Sequence, residues 1–131
     1  MSKQVLFVGT YAIPDGKFEE WNRANKEMTA FAKAGEPRVL SFNTYVNEER
    51  TEATTIQLHP DSESLEYHLE AARTRISGGV QLVQVKRVEL YGEPSEAVVA
   101  QLRRVAERSG SWPVRVKRPL HGFSRVEEAG G

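Results

Sequence analysis

One segment of the sequence constrains the fold more than any other: Gln4 to Ile13, a strand-like run with large apolar side chains on both of its faces. One face carries Leu6, Val8 and Ala12, and the other carries Val5, Phe7, Tyr11 and Ile13. A strand that is apolar on both sides is typical of the middle of a sheet, where neighbouring layers cover both faces. The chain is therefore expected to build its sheet around its own N-terminal strand.

The next segments alternate between helical and strand periodicity. A proline and a glycine end the first strand, and Asp15 between them is available to cap a helix that ends at Gly35. Two segments rich in β-forming residues, Val39–Val46 and Glu52–His59, follow with a polar turn between them. This arrangement predicts a β-hairpin.

A second helix is predicted to begin near Ser62, with its apolar residues on one narrow stripe: Leu65, Leu69, Ala72 and Ile76. Beyond it, the apolar alternation changes phase between Val80 and Tyr91, which a single flat strand cannot do. Either a bulge lies near Lys86, or Val80–Val85 is a separate short element and the strand proper is Lys86–Tyr91. We favour the separate element.

A third helix is expected between Ser95 and Gly110, followed by a short strand in which Val114 and Val116 form the only apolar face. A strand of this kind suits the edge of a sheet or a contact with another chain. The order βαββαβ, with an added C-terminal helix and strand, predicts a ferredoxin-like α+β fold with an antiparallel sheet. We expect one domain over residues 1–125 and a disordered tail over 126–131.

The helices of such a fold lie on one face of the sheet, so the opposite face needs a cover. On the first strand that face still carries large apolar side chains, and an exposed apolar patch of this size is normally an interface. We therefore expect a homodimer in which two sheets pack against each other.

Composition excludes several kinds of protein. The 131 residues include no cysteine, which rules out disulfides, thiolate metal sites and a cysteine nucleophile. The N-terminal apolar stretch is too short for a signal sequence or a membrane span, which predicts a cytoplasmic protein that binds no membrane. The formal net charge is zero. The sequence shows neither the overall excess of basic residues nor the aromatic or groove-reading elements of a nucleic-acid-binding domain, so we expect no binding to nucleic acid.

Four stretches within Gln4–Tyr91 follow a known pattern: Val5–Tyr11, Phe18–Ala34, Leu58–Ser62, and Ser64–Ala72 with His68. Together they resemble the dimeric α+β barrel proteins related to antibiotic biosynthesis monooxygenases, and the C-terminal extension resembles an uncharacterised bacterial subgroup. The resemblance implies a barrel formed by the sheets of two copies of the chain. Such proteins include cofactor-free oxygenases, haem-degrading enzymes, small lyases and isomerases, so the resemblance implies no single reaction.

Haem-degrading members of that group use a polar amide on the first strand together with a histidine and a tryptophan. The first strand here offers Phe7, Gly9 and Tyr11 instead. This departure argues against haem chemistry, and we expect no cofactor.

Two of the three histidines are candidates for a catalytic base. His59 ends the second hairpin strand beside the Pro-Asp-Ser start of a helix, where it could act at the mouth of a cleft or only stabilise the loop. His68 lies at the edge of the second helix's apolar stripe, where a half-buried structural histidine is the alternative. The spacing of the two matches no recognised metal-ligand pattern.

Five further residues are candidates for binding a substrate: Tyr11, Trp21, Asn25, Asn43 and Tyr45. Trp21 and Asn25 share one face of the first helix, where an amide beside an indole would suit a planar oxygenated ligand. The other three lie on predicted strands, where polar groups could line a barrel interior. The alternatives are a core tryptophan with a surface amide, and packed tyrosines with hydrogen-bonded hydroxyls.

Two functions from different classes remain open. The first is a small-molecule enzyme without a cofactor, monooxygenase- or isomerase-like, in which His59 or His68 deprotonates an aromatic or enolisable substrate. The second is a non-catalytic module, either a ligand sensor or a structural dimer. A cavity between helices and sheet with these polar groups around it would favour ligand binding over a closed core.

Overall fold

A computed structural model describes residues 3–127 as five strands and four helices. In chain order these are β1 (Val5–Ala12), α1 (Phe18–Gly35), β2 (Ser41–Val46), β3 (Glu52–His59), α2 (Ser62–Ala71), α3 (Arg73–Val80), β4 (Gln84–Gly92), α4 (Glu96–Arg108) and β5 (Val114–Lys117). Of the predicted tail, residues 128–131 lie outside the described part. No helix within residues 3–127 is long and apolar enough to cross a membrane.

The strands form one sheet in the order β2-β3-β1-β4-β5, with β1 in the middle. Strand β1 pairs antiparallel with both β3 and β4, and β2 pairs antiparallel with β3. This confirms the ferredoxin-like fold and the central position of β1. The added strand β5 departs from the predicted antiparallel pattern, because it runs parallel to β4 at the edge of the sheet.

The helices cover one face of the sheet, and the main core lies beneath them. Its fully buried side chains come from the two central strands and from two helices: Val5, Leu90, Leu65 and Val98. Ser95 caps α4, because its hydroxyl accepts a hydrogen bond from the backbone N–H of Val98. The apolar stripe of α4 then faces the core through Val98, Leu102 and Ala106.

Within residues 3–127, no helix covers the other face of the sheet. Two rows of apolar side chains pair across this open face, Leu6 opposite Leu58 and Val8 opposite Ile56, and all four remain partly exposed. The C-terminal arm, residues 118–127, adds exposed apolar groups, since Leu120 and Phe123 are 87% and 83% exposed.

Three local features differ from the sequence-based expectations. Helix α1 is capped at Lys17 without a side-chain hydrogen bond, so Asp15 is not its cap. The predicted second helix is two helices, because the backbone leaves helical geometry at Ala72.

Strand β4 begins at Gln84, so the favoured division of this region is wrong and the bulge is right. Thr10 pairs with Arg87 and Tyr11 pairs with Val85, which leaves Lys86 as the extra residue. The bulge restores the apolar phase, because it returns Val85 to the helix-covered face.

Candidate functional site

A cavity of about 1170 Å³ lies between the sheet and the helices. Five aromatic side chains contribute to its wall: Phe7, Tyr11, Trp21, Phe42 and Trp112. Asn25, Thr55, Gln57 and His68 add polar groups to the same wall. Ligand pockets are commonly about 300–1,000 Å³ and combine an apolar wall with a few polar groups, so this cavity is large enough for a small organic molecule.

Two features of the sequence keep this space open. On the helix-covered face, β3 presents Ala53, Thr55, Gln57 and His59, which are small or polar rather than large and apolar. Helix α3, which lines the cavity, buries none of its residues. The layers therefore do not close into an apolar core over β3.

His68 on the wall of the cavity forms a buried polar pair with Glu36, which does not line the cavity. His68 lies on α2, and Glu36 lies at the C-terminal cap of α1. The Nδ1–H of His68 donates to both carboxylate oxygens of Glu36, at 2.8 and 2.9 Å, and both side chains are only 2% exposed. The edge of the His68 ring also packs against Phe42, with 5.7 Å between ring centroids.

The arrangement fixes the tautomer of His68. When Nδ1 carries the proton that it donates to the carboxylate, Nε2 of a neutral ring holds a free lone pair. No partner for Nε2 is present among residues 3–127. This nitrogen can therefore accept a proton from a molecule in the cavity.

His59 lies behind this wall rather than in it, and it is fully buried. Its Nδ1 is 2.8 Å from the Ser64 hydroxyl, and its Nε2 is 2.9 Å from Oε1 of Gln57. Burial, with a smaller contribution from the neighbouring His68, lowers the pKa of His59 to about 3. His59 is therefore a neutral ring whose two nitrogens are both engaged.

This contact orients Gln57. An amide oxygen only accepts hydrogen bonds, so Nε2 of His59 is the donor and Nδ1 accepts from the hydroxyl of Ser64. The amide NH₂ of Gln57 has no partner among the described residues, and Gln57 lines the cavity. It can donate a hydrogen bond to a ligand oxygen.

Tyr11 lies on the same face of β1 as Gly9, and its ring folds back over the glycine. A Cβ atom at Gly9 would overlap the Tyr11 hydroxyl and lie 2.8 Å from the ring carbon that bears it. Burial raises the pKa of Tyr11 to about 12, although the hydrogen bond with Thr55 acts in the opposite direction. At neutral pH the phenol therefore keeps its proton, and its hydroxyl can donate a hydrogen bond to a ligand.

The cavity brings together some of the predicted site residues and not others. Trp21 and Asn25 of α1 line it together with Tyr11 and His68. Asn43 and Tyr45 lie on the open face, because they pair with Ile56 and Thr54 on that side of β3. Their part in binding stays a prediction, and it applies to a different surface.

Four residues that sequence reasoning did not select also belong to the site: Glu36, Thr55, Gln57 and Trp112. Glu36 gave no signal, since it stands just beyond a helix end. For Thr55 and Gln57 a signal was present, because β3 alternates apolar and polar residues and only one of these faces could be the covered one. The indole N–H of Trp112 is buried without an acceptor among the described residues.

Within residues 3–127 no three histidine, aspartate or glutamate side chains are grouped closely enough to hold a metal ion.

Comparison with known proteins finds no matching family model and no matching curated protein. Solved structures do match. MupZ from Pseudomonas fluorescens is 17% identical with a TM-score of 0.73, covering 94% of this chain and 95% of its own.

Two shorter matches agree. SnoaB from Streptomyces nogalater, a cofactor-independent oxygenase solved in a mutant form, is 13% identical with a TM-score of 0.61, over 72% of this chain and 96% of its own. A Bacteroides thetaiotaomicron protein provisionally described as an antibiotic biosynthesis monooxygenase is 22% identical with a TM-score of 0.59, over 67% and 85%. The predicted resemblance is thus confirmed at the level of the fold.

Proposed function

We propose that this protein is a small-molecule enzyme that removes a proton from an aromatic or enolisable substrate, without a metal or an organic cofactor. The observation that carries the proposal is His68 on the wall of a large aromatic cavity, with Nδ1 held by the buried carboxylate of Glu36. A closed apolar core would have favoured a structural module, so the cavity supports ligand binding.

His68 is the proposed general base. The carboxylate of Glu36 holds Nδ1–H, keeps Nε2 available, and stabilises the imidazolium that forms when Nε2 takes a proton. His59 meets these needs less well, because both of its nitrogens are engaged and its pKa is lowered to about 3. We assign His59 the role of positioning Gln57.

The negative charge that proton removal leaves on a substrate oxygen needs hydrogen-bond donors. The Tyr11 hydroxyl and the Gln57 amide are both on the cavity wall and both able to donate. Donors that are already fixed in a dry site stabilise such a charge more than water does. Phe7, Trp21 and Phe42 would hold the ring of the substrate.

The similarity to SnoaB supports the same class of chemistry, since that protein is described as a cofactor-independent oxygenase. A carbanion or enolate formed by His68 is the kind of electron-rich species from which such an oxygenation could proceed. Isomerisation, in which the proton returns to another carbon of the substrate, would use the same base, His68, and the same two donors, Tyr11 and Gln57.

The test begins with a thermal-shift screen of phenols, quinones and keto acids, because a ligand of the folded state raises Tm. Turnover of any hit is then compared in His68→Gln, which keeps a donor toward Glu36 but has no basic nitrogen. We expect turnover to fall about a hundredfold or more, the usual contribution of a general base.

The exposed His121 provides a matched control, and His121→Gln should leave turnover unchanged. A hit that binds without turnover in the wild-type protein would instead favour the alternative, a non-catalytic ligand-binding module. Turnover that survives in His68→Gln would move the proton transfer to another group.

We also propose that the protein associates with itself through the open face. The partly exposed Leu6, Val8, Ile56 and Leu58 supply an apolar surface, and the C-terminal arm exposes two further large apolar side chains, Leu120 and Phe123. Sedimentation equilibrium at micromolar concentration should give a dimer, and a chain that ends at Lys117 should dissociate more readily. A full-length monomer would contradict the proposal.

A further inference from the structure

The charged residues around the cavity are strongly unbalanced. Four arginines line it, Arg73 and Arg75 from α3 and Arg104 and Arg108 from α4, against the single acidic side chain of Glu70 among the described lining residues. The chain as a whole is neutral, with 18 basic and 18 acidic residues. The excess of positive charge at the cavity is therefore local and does not follow from composition.

These arginines are not engaged in ion pairs. Among residues 3–127 none of the four has a carboxylate within 4.0 Å, although other pairs of charged groups in this part of the chain do meet that distance. Arg75 stacks on Phe31, at 4.9 Å from the ring centroid, a contact that does not neutralise its charge. Helix α3 also holds no acidic residue in its first turn that could pair with Arg73 or Arg75.

The placement of these residues also distinguishes the mouth of the cavity from its interior. All four arginines are exposed, whereas Gln57, Thr55 and His68 are buried at the sheet side of the same space. Arg104 and Arg108 are four residues apart on α4, so they share one helix face. Arg108 lies in the last turn of α4, where a positive charge stabilises the helix through its dipole. The other three arginines do not have this role.

We propose that the arginines at the cavity mouth bind a carboxylate of the substrate, so that the ligand places an aromatic or apolar body inside and its acidic group at the opening. This inference rests on the proposed function and names its substrate class. Guanidinium groups bind carboxylates through paired hydrogen bonds, which gives both affinity and orientation. An anchored carboxylate would fix which carbon of the substrate faces Nε2 of His68.

The experiment compares two probes of the same shape and different charge, 3-phenylpropanoate and 3-phenylpropanamide. Binding is followed by the fluorescence of Trp21 and Trp112, which both line the cavity and are the only tryptophans of the chain. At low salt the anion should bind about tenfold more tightly than the amide. Salt at about 0.5 M should reduce this preference, because exposed charges are screened.

The double variant Arg104→Gln/Arg108→Gln should reduce the preference, because only Arg73 and Arg75 remain at the mouth, while leaving the affinity for the amide unchanged. Arg103→Gln/Arg118→Gln is the matched control, since it removes the same charge from two arginines that do not line the cavity. The preference should persist in that control. A reduced preference in the control, or an undiminished preference in the first variant, would contradict the proposal.

The outcomes also separate this inference from the function on which it rests. If the wild-type protein binds both probes equally well, the cavity takes aromatic ligands and the anion inference is overturned. If it binds neither, the aromatic cavity itself is refuted, and the proposed function is lost together with the inference.

Discussion

The helix-covered face of the sheet has two halves that differ in chemistry. Over β4 and the start of β1 the buried side chains are apolar, with Val5, Leu90 and Val98 in one hydrophobic cluster. Over β3 the buried side chains are mostly polar and form two hydrogen-bonded groups: His59 with Gln57 and Ser64, and His68 with Glu36. One fold thus holds a closed apolar core beside a buried polar network.

This difference indicates which half stabilises the fold and which half forms the candidate site. Apolar burial contributes free energy wherever it occurs, whereas a buried polar network at best offsets its own desolvation. A protein that needed only a stable fold would place large apolar residues on the covered face of β3. The polar half is therefore the part of the core that contributes less to the free energy of unfolding than apolar side chains would at the same positions.

The largest expected change in stability comes from replacing only one member of the His68–Glu36 pair. His68→Leu would leave the Glu36 carboxylate buried without its hydrogen-bond donor, and a buried charge left without a partner commonly costs about 4 kcal/mol. We expect a loss of this size in the free energy of unfolding at pH 7, measured in urea.

The double variant His68→Leu/Glu36→Leu provides the control for that prediction. Replacement of a whole buried pair by apolar side chains is often neutral or stabilising, so most of the lost stability should return. A single variant that stays within about 1 kcal/mol of the wild type would mean that Glu36 is not held by His68 alone.

The apolar half should respond differently. Leu90 is fully buried, and Leu90→Ala should cost about 3 kcal/mol of unfolding free energy through the cavity that it leaves. Leu58→Ala on the open face is the matched control, because it removes the same atoms from a partly exposed site. Its cost should be clearly smaller in the monomer, and equal costs would mean that the open face is as well packed as the core.

The apolar half is also the part that sequence patterns predicted. The two-sided β1, the stripe of α4 and the bounds of β3 all follow from hydrophobic periodicity, which reports on which residues leave water. Periodicity failed where the backbone changes its geometry. It predicted one helix where α2 and α3 are separated at Ala72. It also favoured a separate element over Val80–Val85, where the structure has a bulge at Lys86 within β4.

The polar half could be predicted only in part. Tyr11, Trp21, Asn25 and His68 were selected because polar or titratable groups beside predicted apolar faces would suit a bound ligand, and all four do line the cavity. Glu36 is brought to the site by long-range packing against His68, and no local pattern carries that information. The alternation of β3 could have located Gln57, since a strand whose covered face is the polar one departs from the rule for folding and indicates a site.

The smallest effect that we predict is on the pH dependence of stability, and it separates the two halves most cleanly. The pKa of His59 is about 3 in the folded protein, against roughly 6.5 for an unfolded histidine. Between these values the unfolded chain binds a proton that the folded protein refuses, so the free energy of unfolding falls as the pH falls. The loss between pH 8 and pH 5 should be about 2 kcal/mol.

His59→Gln should flatten this slope, because glutamine can keep hydrogen bonds to Ser64 and Gln57 but takes up no proton. Measurements are best confined to pH 5 and above, since carboxylates begin to titrate below about pH 5 and add their own slope. Leu90→Ala, from the apolar half, should lose stability by the same amount at every pH and keep the wild-type slope. If His59→Gln and the wild-type protein share one slope between pH 5 and 6.5, the proton is not excluded at His59, and the buried network is more open to water than its hydrogen bonds imply.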